Sequence, residues 1–231
     1  MQEQPVLLLG LEPRAATEER LAQVRALAPE YDLRVTLEPA QVERVLDRIE
    51  IAAGDFPHEL LPRARALRWF QQWGAGADWL LDHPEAAEMD FTLTNASGVH
   101  AVPISEHILA LMLAFARELH QALRAQMQRE WVEHTRHTRL FELEGKTLLL
   151  IGVGAIGART AGLASALGMR VLGVRRHAGD PVPGVEHMAR PERLLELLPQ
   201  ADFVVLTVPL TRETRGLIGE RELRAMKREA V

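Results

Sequence analysis

Gly152-Val153-Gly154-Ala155-Ile156-Gly157 is the segment of this 231-residue sequence whose residue types and spacing point most directly to chemistry. A G-x-G-x-x-G spacing alone is weak, because glycine is common in turns of every kind. Its flanks sharpen it: the apolar run Thr147–Ile151 precedes it and an alanine-rich, helix-prone stretch follows. In a strand–turn–helix unit of this kind each glycine has its own task. Gly152 permits the tight turn, Gly154 lets the backbone come close to a pyrophosphate, and Gly157 lets the helix pack closely on the strand. The free N–H groups at the helix start, aided by the helix dipole, then favour an anion. The chemistry implied is dinucleotide binding.

The next expected strand, Arg170–Val174, ends on Arg175-Arg176-His177, where an acidic residue would hydrogen-bond the adenosine ribose of NAD. Two guanidiniums instead suit a 2′-phosphate, which they hold by charge-assisted bonds. The competing reading is an exposed arginine pair at a strand end. A second glycine-rich turn, Gly74-Ala75-Gly76, closes another expected strand, and its unobstructed N–H groups suit a carboxylate. The alternative there is a plain turn.

Other candidates are thinner. His100 lies at an expected domain junction and admits two readings, a substrate contact and a structural hydrogen bond. His107 reads as a satisfied helix histidine. His134 and His137 lack a third ligand at convincing spacing, so a solvated face is expected and no metal site is assigned. Ser97 and Ser105 have no nucleophile-elbow context and read as helix caps. There are no cysteines, which removes disulfides, thiolate catalysis and Cys-ligated zinc.

These residues need elements to position them. Val6–Leu9, Leu33–Leu37, Ile49–Ala53, Leu67–Trp73 and Phe91–Asn95 are strand-like runs, with helices expected after Thr17 and over Gln41–Arg48. From Pro103, an apolar stripe of Ile104, Ile108, Leu111, Met112, Phe115 and Leu119 predicts one long helix. After the polar stretch Gln126–Arg139, strands at Lys146–Gly152, Arg170–Val174 and Asp202–Val208 alternate with helices at Ala155–Leu167 and Pro191–Leu198. The pattern predicts an α/β fold of two doubly wound parallel-sheet domains, one flavodoxin-like and one Rossmann. The boundary is expected near residues 96–103, giving a substrate domain over 1–98 and a nucleotide domain over 99–231.

Hydrophobic residues make up 47% of the chain and charged residues 26%, which describes a globular protein. The net charge of −5 is spread without a basic stripe, so neither a nucleic-acid nor a membrane-surface partner is expected. No spanning segment and no basic leader are seen, and the expected compartment is the cytoplasm.

Several segments together resemble the D-isomer-specific 2-hydroxyacid dehydrogenases. They are Gln72-Trp73-Gly74-Ala75-Gly76-Ala77-Asp78, Asn95–His100 with Ser105-Glu106-His107, Gly145–Gly157, Val208-Pro209-Leu210-Thr211, Glu213–Ile218 and Met226-Lys227, in the family's order. The pattern is most similar to the NADP-using ketoacid reductase branch. The resemblance implies hydride transfer between a nicotinamide and a small 2-keto or 2-hydroxy acid. It implies a carboxylate held by backbone amides at Gly74, Ala75 and Gly76, and a cofactor contacted at Gly152, Gly154, Ala155, Ile156, Gly157, Arg175, Arg176, Val208, Pro209 and Thr214. NADP(H) is the implied preference, with NAD(H) the alternative, and a homodimer through the nucleotide domain is the implied assembly. The family's catalytic Arg, Glu and His follow the Met-Lys segment, beyond Val231. On this reading the nucleotide domain is incomplete and the 231 residues alone are inactive. A non-catalytic nucleotide-sensing or protein-interaction relative is the alternative.

Overall fold

The computed structural model describes residues 4–131 and 140–231. His134 and His137 therefore lie outside the described residues. The chain forms two compact units, residues 1–97 with 209–212, and residues 98–208 with 213–231.

The first unit is a parallel sheet of five strands: β1 (Val6–Gly10), β2 (Asp32–Val35), β3 (Ile49–Gly54), β4 (Trp69–Gln71) and β5 (Thr92–Thr94). Their order is β2-β1-β3-β4-β5, the flavodoxin-like arrangement, with the switch point between β1 and β3. Helix α1 (Glu18–Leu27) starts where Thr17 Oγ1 accepts the Arg20 N–H, and α2 (Pro39–Glu43) precedes β3. The run expected as one helix over Gln41–Arg48 breaks into α2 and a separate 3₁₀ turn at Leu46–Arg48. The β4 strand is shorter than the apolar run suggests, although the Arg68 N–H still donates to the Glu50 carbonyl and the Gln72 N–H to that of Thr94. Val6, Leu8, Ile49, Leu61 and Phe70 are almost wholly buried in its core.

In the second unit, α3 (Ala101–Ala116) and α4 (Leu119–Met127) replace the single long helix that the periodicity predicts. Glu118 adopts a left-handed conformation, φ 48°, and no helix passes through such a residue. The buried face of α3 also differs from the predicted stripe. Ser105, Met112 and Ala116 are buried, with Ile108 and Leu109 packed partly against the core, whereas Leu111 and Phe115 are each 49% exposed. Neither serine caps it. Ser105 lies inside the helix, its Oγ donating to the Val102 carbonyl, and the cap position is His100.

The sheet of this unit comprises β6 (Thr147–Ile151), β7 (Arg170–Val174), β8 (His187–Ala189) and β9 (Phe203–Leu206), with α5 (Ala155–Ala166) between β6 and β7. A short α6 (Leu194–Leu197) and α7 (Glu220–Ala225) follow β8 and β9. The order β8-β7-β6-β9 is parallel throughout and corresponds to positions 3-2-1-4 of the Rossmann sheet. The β8 strand and α7 were not anticipated: His187-Met188-Ala189 is short and carries no β-branched residue. Leu148, Leu149, Leu150 and Ile151 are buried on both faces of the central strand, which is why it reads as a continuous apolar run.

Candidate functional site

The glycine turn stands at the carboxyl end of β6, next to the sheet's switch point between β6 and β9. Gly152 has φ 98°, and a Cβ there would lie 2.8 Å from the Thr207 carbonyl carbon and from Val208 Cγ1 and N. Its N–H donates to the Val174 carbonyl at 2.8 Å, and its own carbonyl accepts Thr207 Oγ1. A Cβ at Gly157 would lie 2.3 Å from that same carbonyl oxygen. Both glycines are thus sterically required for α5 to sit against β6 and β9. Gly154 differs: a Cβ there would meet nothing within 4 Å. The position faces open space at the start of α5, where Gly154 and Ala155 are exposed. Ala158 N–H closes the first helical bond on the Gly154 carbonyl at 2.8 Å, so the N–H groups of Ala155, Ile156 and Gly157 precede the intrahelical ladder. Among these residues the arrangement fits a pyrophosphate: backbone donors, a helix N-terminus and room left by a missing side chain.

Arg175 and Arg176 directly follow β7. Arg176 is exposed. Arg175 is half-buried, with Nη2 donating to the Asp180 carbonyl, and its Nε is buried with no hydrogen-bond partner. Val208 packs beside the glycine turn, and Thr214 is half-buried in the loop before α7, its carbonyl accepting Leu217 N–H. Pro209 belongs to the first unit by its contacts. His100 is exposed at the start of α3, and its side chain makes no hydrogen bond to the described residues.

In the first unit, Gly74, Ala75 and Gly76 form an exposed loop after β4. Each of the three carbonyls is held. Gln72 Nε2 donates to the Gly74 carbonyl (3.1 Å) and to the Gly76 carbonyl, and Asn95 Nδ2 donates to that of Ala75 (2.9 Å). The Ala96 N–H adds a 3.3 Å bond to the Gly74 carbonyl. No described residue accepts from the N–H groups of Gly74, Ala75 or Gly76. Gln72 is itself 7% exposed, and its Oε1 accepts the Trp79 indole N–H at 2.9 Å. The far face of Trp79 stacks on His58, with ring centroids 4.3 Å apart. Burial holds the His58 imidazole below its ordinary pKa, and the neighbouring His83 adds to this against Glu59 and Asp55. Gln72 and Asn95 stand in the segments that resemble the family, yet nothing in their spacing announces these bonds. The usable signal is a polar residue at the end of an apolar strand, just before a glycine turn.

A cleft of about 840 Å³, lined by Phe115, His120, Phe141, Lys146 and Asp202 among others, opens by the amino ends of β6 and β9. Parallel sheets bind ligands at the opposite, carboxyl ends, where the glycine turn is. Among the described residues no cluster of three or more His, Cys, Asp or Glu side chains is placed to hold a metal ion, and no helix is long and apolar enough to cross a membrane.

Residues 109–231 match the NAD binding domain of the D-isomer specific 2-hydroxyacid dehydrogenases. The chain belongs to this family. A glyoxylate reductase of Korarchaeum cryptofilum is 34% identical over 198 residues, which cover 82% of this chain and 58% of that enzyme. A family member of known structure from Aeromonas salmonicida is 33% identical and superposes with a TM-score of 0.76, covering 92% of this chain and 66% of that one. An NADPH-dependent glyoxylate/hydroxypyruvate reductase from Sinorhizobium meliloti, solved with NADP and sulfate, is 25% identical with a TM-score of 0.76, over 98% of this chain and 69% of that one. The chain spans about half the length of the curated relatives it matches, 58%, 32% and 53% for three of them.

Proposed function

We propose that these residues form the substrate-binding and nucleotide-binding parts of an NADP(H)-dependent reductase of small 2-keto acids, with residues 1–98 as the substrate domain and 99–231 as the nucleotide domain. The observation that carries this is the open Gly154 position at the start of α5, beside two glycines that the packing requires. The N–H groups of Ala155, Ile156 and Gly157 would hold the pyrophosphate, with Val208, Pro209 and Thr214 along the cofactor. The exposed Arg176 supplies donors for a 2′-phosphate, with the half-buried Arg175 guanidinium beside it. The Sinorhizobium meliloti reductase, a relative with NADP bound, supports the same preference. NAD(H) remains the weaker ligand on this reading.

When bound, the nicotinamide supplies a hydride to the keto carbon. The chain's own part is to seat the substrate carboxylate on the exposed N–H groups of the Gly74–Gly76 loop, from which no described residue accepts. A proton for the substrate oxygen requires a positioned acid. His100 is the candidate substrate contact among the described residues, and a polypeptide of these 231 residues is expected to bind dinucleotide without measurable turnover.

Two further parts of the reading concern the whole protein. Leu111, Leu113, Phe115, Leu119 and Leu123 on α3 and α4 are 39–59% exposed. An apolar surface of that kind suits a twofold homodimer through the nucleotide domain. The cytoplasm is the proposed compartment.

Fluorescence titration with NADPH and NADH tests the function. NADPH is expected to bind at least about ten-fold tighter, as two charge-assisted contacts would give. Replacing Arg175 and Arg176 together by Ala should remove most of that difference. Gly154→Val should abolish binding of both nucleotides while the fold survives. Equal affinity of the wild-type chain for the two nucleotides would remove the NADP preference, and a Gly154→Val variant that binds normally would remove the site.

A further inference from the structure

The Gly74–Gly76 loop is held in an unusual way for a glycine turn. Neither Gly74 nor Gly76 has a positive φ, and a Cβ at Gly74 would touch nothing within 4 Å. The glycines do not by themselves define the loop's shape. Side-chain amides do, through the carbonyls.

We propose that Gln72 is a positioning residue for carboxylate binding, turning the loop's N–H groups towards the ligand by anchoring the carbonyls on their opposite side. This rests on the substrate role proposed for the loop. In a planar trans peptide, the carbonyl of one residue and the N–H of the next point in opposite directions. Fixing the Gly74 and Gly76 carbonyls therefore fixes the N–H directions of Ala75 and Ala77. Asn95 does the same for Gly76 through the Ala75 carbonyl. Gln72 carries the larger share, because one buried amide group spends both its protons on two loop carbonyls.

The orientation of that amide is determined by its partners. The two loop carbonyls can only accept, so they must face Nε2; the Trp79 indole N–H can only donate, so it must face Oε1. Trp79 is clamped in turn between this bond and the stacked His58 ring, and it packs against the core that holds Phe70. A rigid aromatic is thus coupled through one glutamine to the direction of the loop N–H groups. Every link is a hydrogen bond or ring contact within the first unit.

The test uses the whole 231-residue chain and oxamate, an unreactive carboxylate of the keto-acid shape. In the wild type, oxamate should shift the amide resonances of Ala75, Gly76 and Ala77 in a ¹H–¹⁵N spectrum. Gln72→Met keeps the side-chain length and removes all three bonds; Gln72→Glu keeps an acceptor for Trp79 and loses the donors. Both should weaken oxamate binding at least about ten-fold and move the three loop resonances, while NADPH affinity stays within about two-fold. Trp79→Phe removes the N–H together with part of the ring area that stacks on His58. It should weaken oxamate by a smaller factor, and it tests the same linkage if the Gln72 variants do not fold. Wild-type binding that survives in these variants would overturn the role of Gln72 alone. Oxamate that shifts none of the three amides in the wild type would overturn the substrate reading of the loop, and the inference with it.

Discussion

The two glycine turns of this molecule do similar work by different means. In the second unit the turn after β6 is shaped by contact of backbone on backbone. Gly152 at φ 98° and Gly157, where a Cβ would lie 2.3 Å from a carbonyl oxygen, leave no room for any other residue. In the first unit the turn after β4 contains glycines with ordinary φ values, and its carbonyls are fixed by Gln72 and Asn95. A turn defined by sterics leaves a residue pattern that any reader of the sequence can find. A turn defined by distant amide side chains leaves almost none, because Asn95 reaches Ala75 across 20 residues.

The largest effect should follow from forcing a side chain into the steric turn. Gly152→Ala puts an L-residue at positive φ, which costs about 1–2 kcal/mol. It also drives a Cβ to 2.8 Å from the Thr207–Val208 backbone, an overpacking that typically adds about 1–3 kcal/mol. The sum, about 2–5 kcal/mol, is a large part of the about 5–15 kcal/mol that holds a typical domain together. Urea denaturation followed by circular dichroism should show an earlier loss of structure in this variant. A midpoint equal to that of the wild type would mean the turn is more compliant than its contacts suggest.

The same contrast explains how much of the molecule is legible in its sequence. The strands buried along nearly their whole length, β1, β6 and β7, are readable to within a residue, since burial on both faces leaves an unbroken apolar run. The expectation failed where periodicity had no burial behind it. Leu111 and Phe115 fit the predicted stripe on α3 but are half-exposed, while the buried Ser105 was read as a cap. The break at Glu118 left no signal, because a single left-handed residue in a polar context needs neither Gly nor Pro. The glycines at 152, 154 and 157 are legible from their spacing and Arg175 and Arg176 from the strand end, whereas Val208, Pro209 and Thr214 come from the family resemblance; the anchoring roles of Gln72, Asn95 and Thr207 appear only when the strands are side by side.

Acid should separate the two units, with an effect smaller than that of Gly152→Ala. His58 is held below its ordinary value by burial and by His83. Its unfolded form takes up a proton near pH 6.5, before the folded form does. Stability from this group is therefore present above that pH and is lost as pH falls from there towards the folded value. Asp202 behaves differently. Burial alone would raise its pKa, but Lys227 Nζ at 2.7 Å and the Thr147 N–H at 2.8 Å outweigh burial and lower it. That contribution persists until pH falls below the ordinary carboxylate range. Hydrogen exchange across a pH series should show the first unit's core amides losing protection first. His58→Phe keeps a ring against Trp79 without the titration, and should flatten the first unit's response as pH falls below about 6.5. A response unchanged in this variant would overturn the assignment to His58.

The smallest effect should come from Gly74→Ala, and its smallness is what tests the contrast. The position has no positive φ and an open Cβ site. An alanine can take up the native conformation there without strain, and it restricts the unfolded chain more than glycine does. Such substitutions change stability by about 0.4–1 kcal/mol in the stabilising direction. Glycine at 74 then serves what approaches it, not how the chain turns. Thermal unfolding should rise slightly or stay level, while the loop's N–H groups keep the resonances set by Gln72 and Asn95. A loss of more than about 1 kcal/mol would show that the loop depends on glycine freedom as the turn at Gly152 does, and that the amide anchors merely follow it.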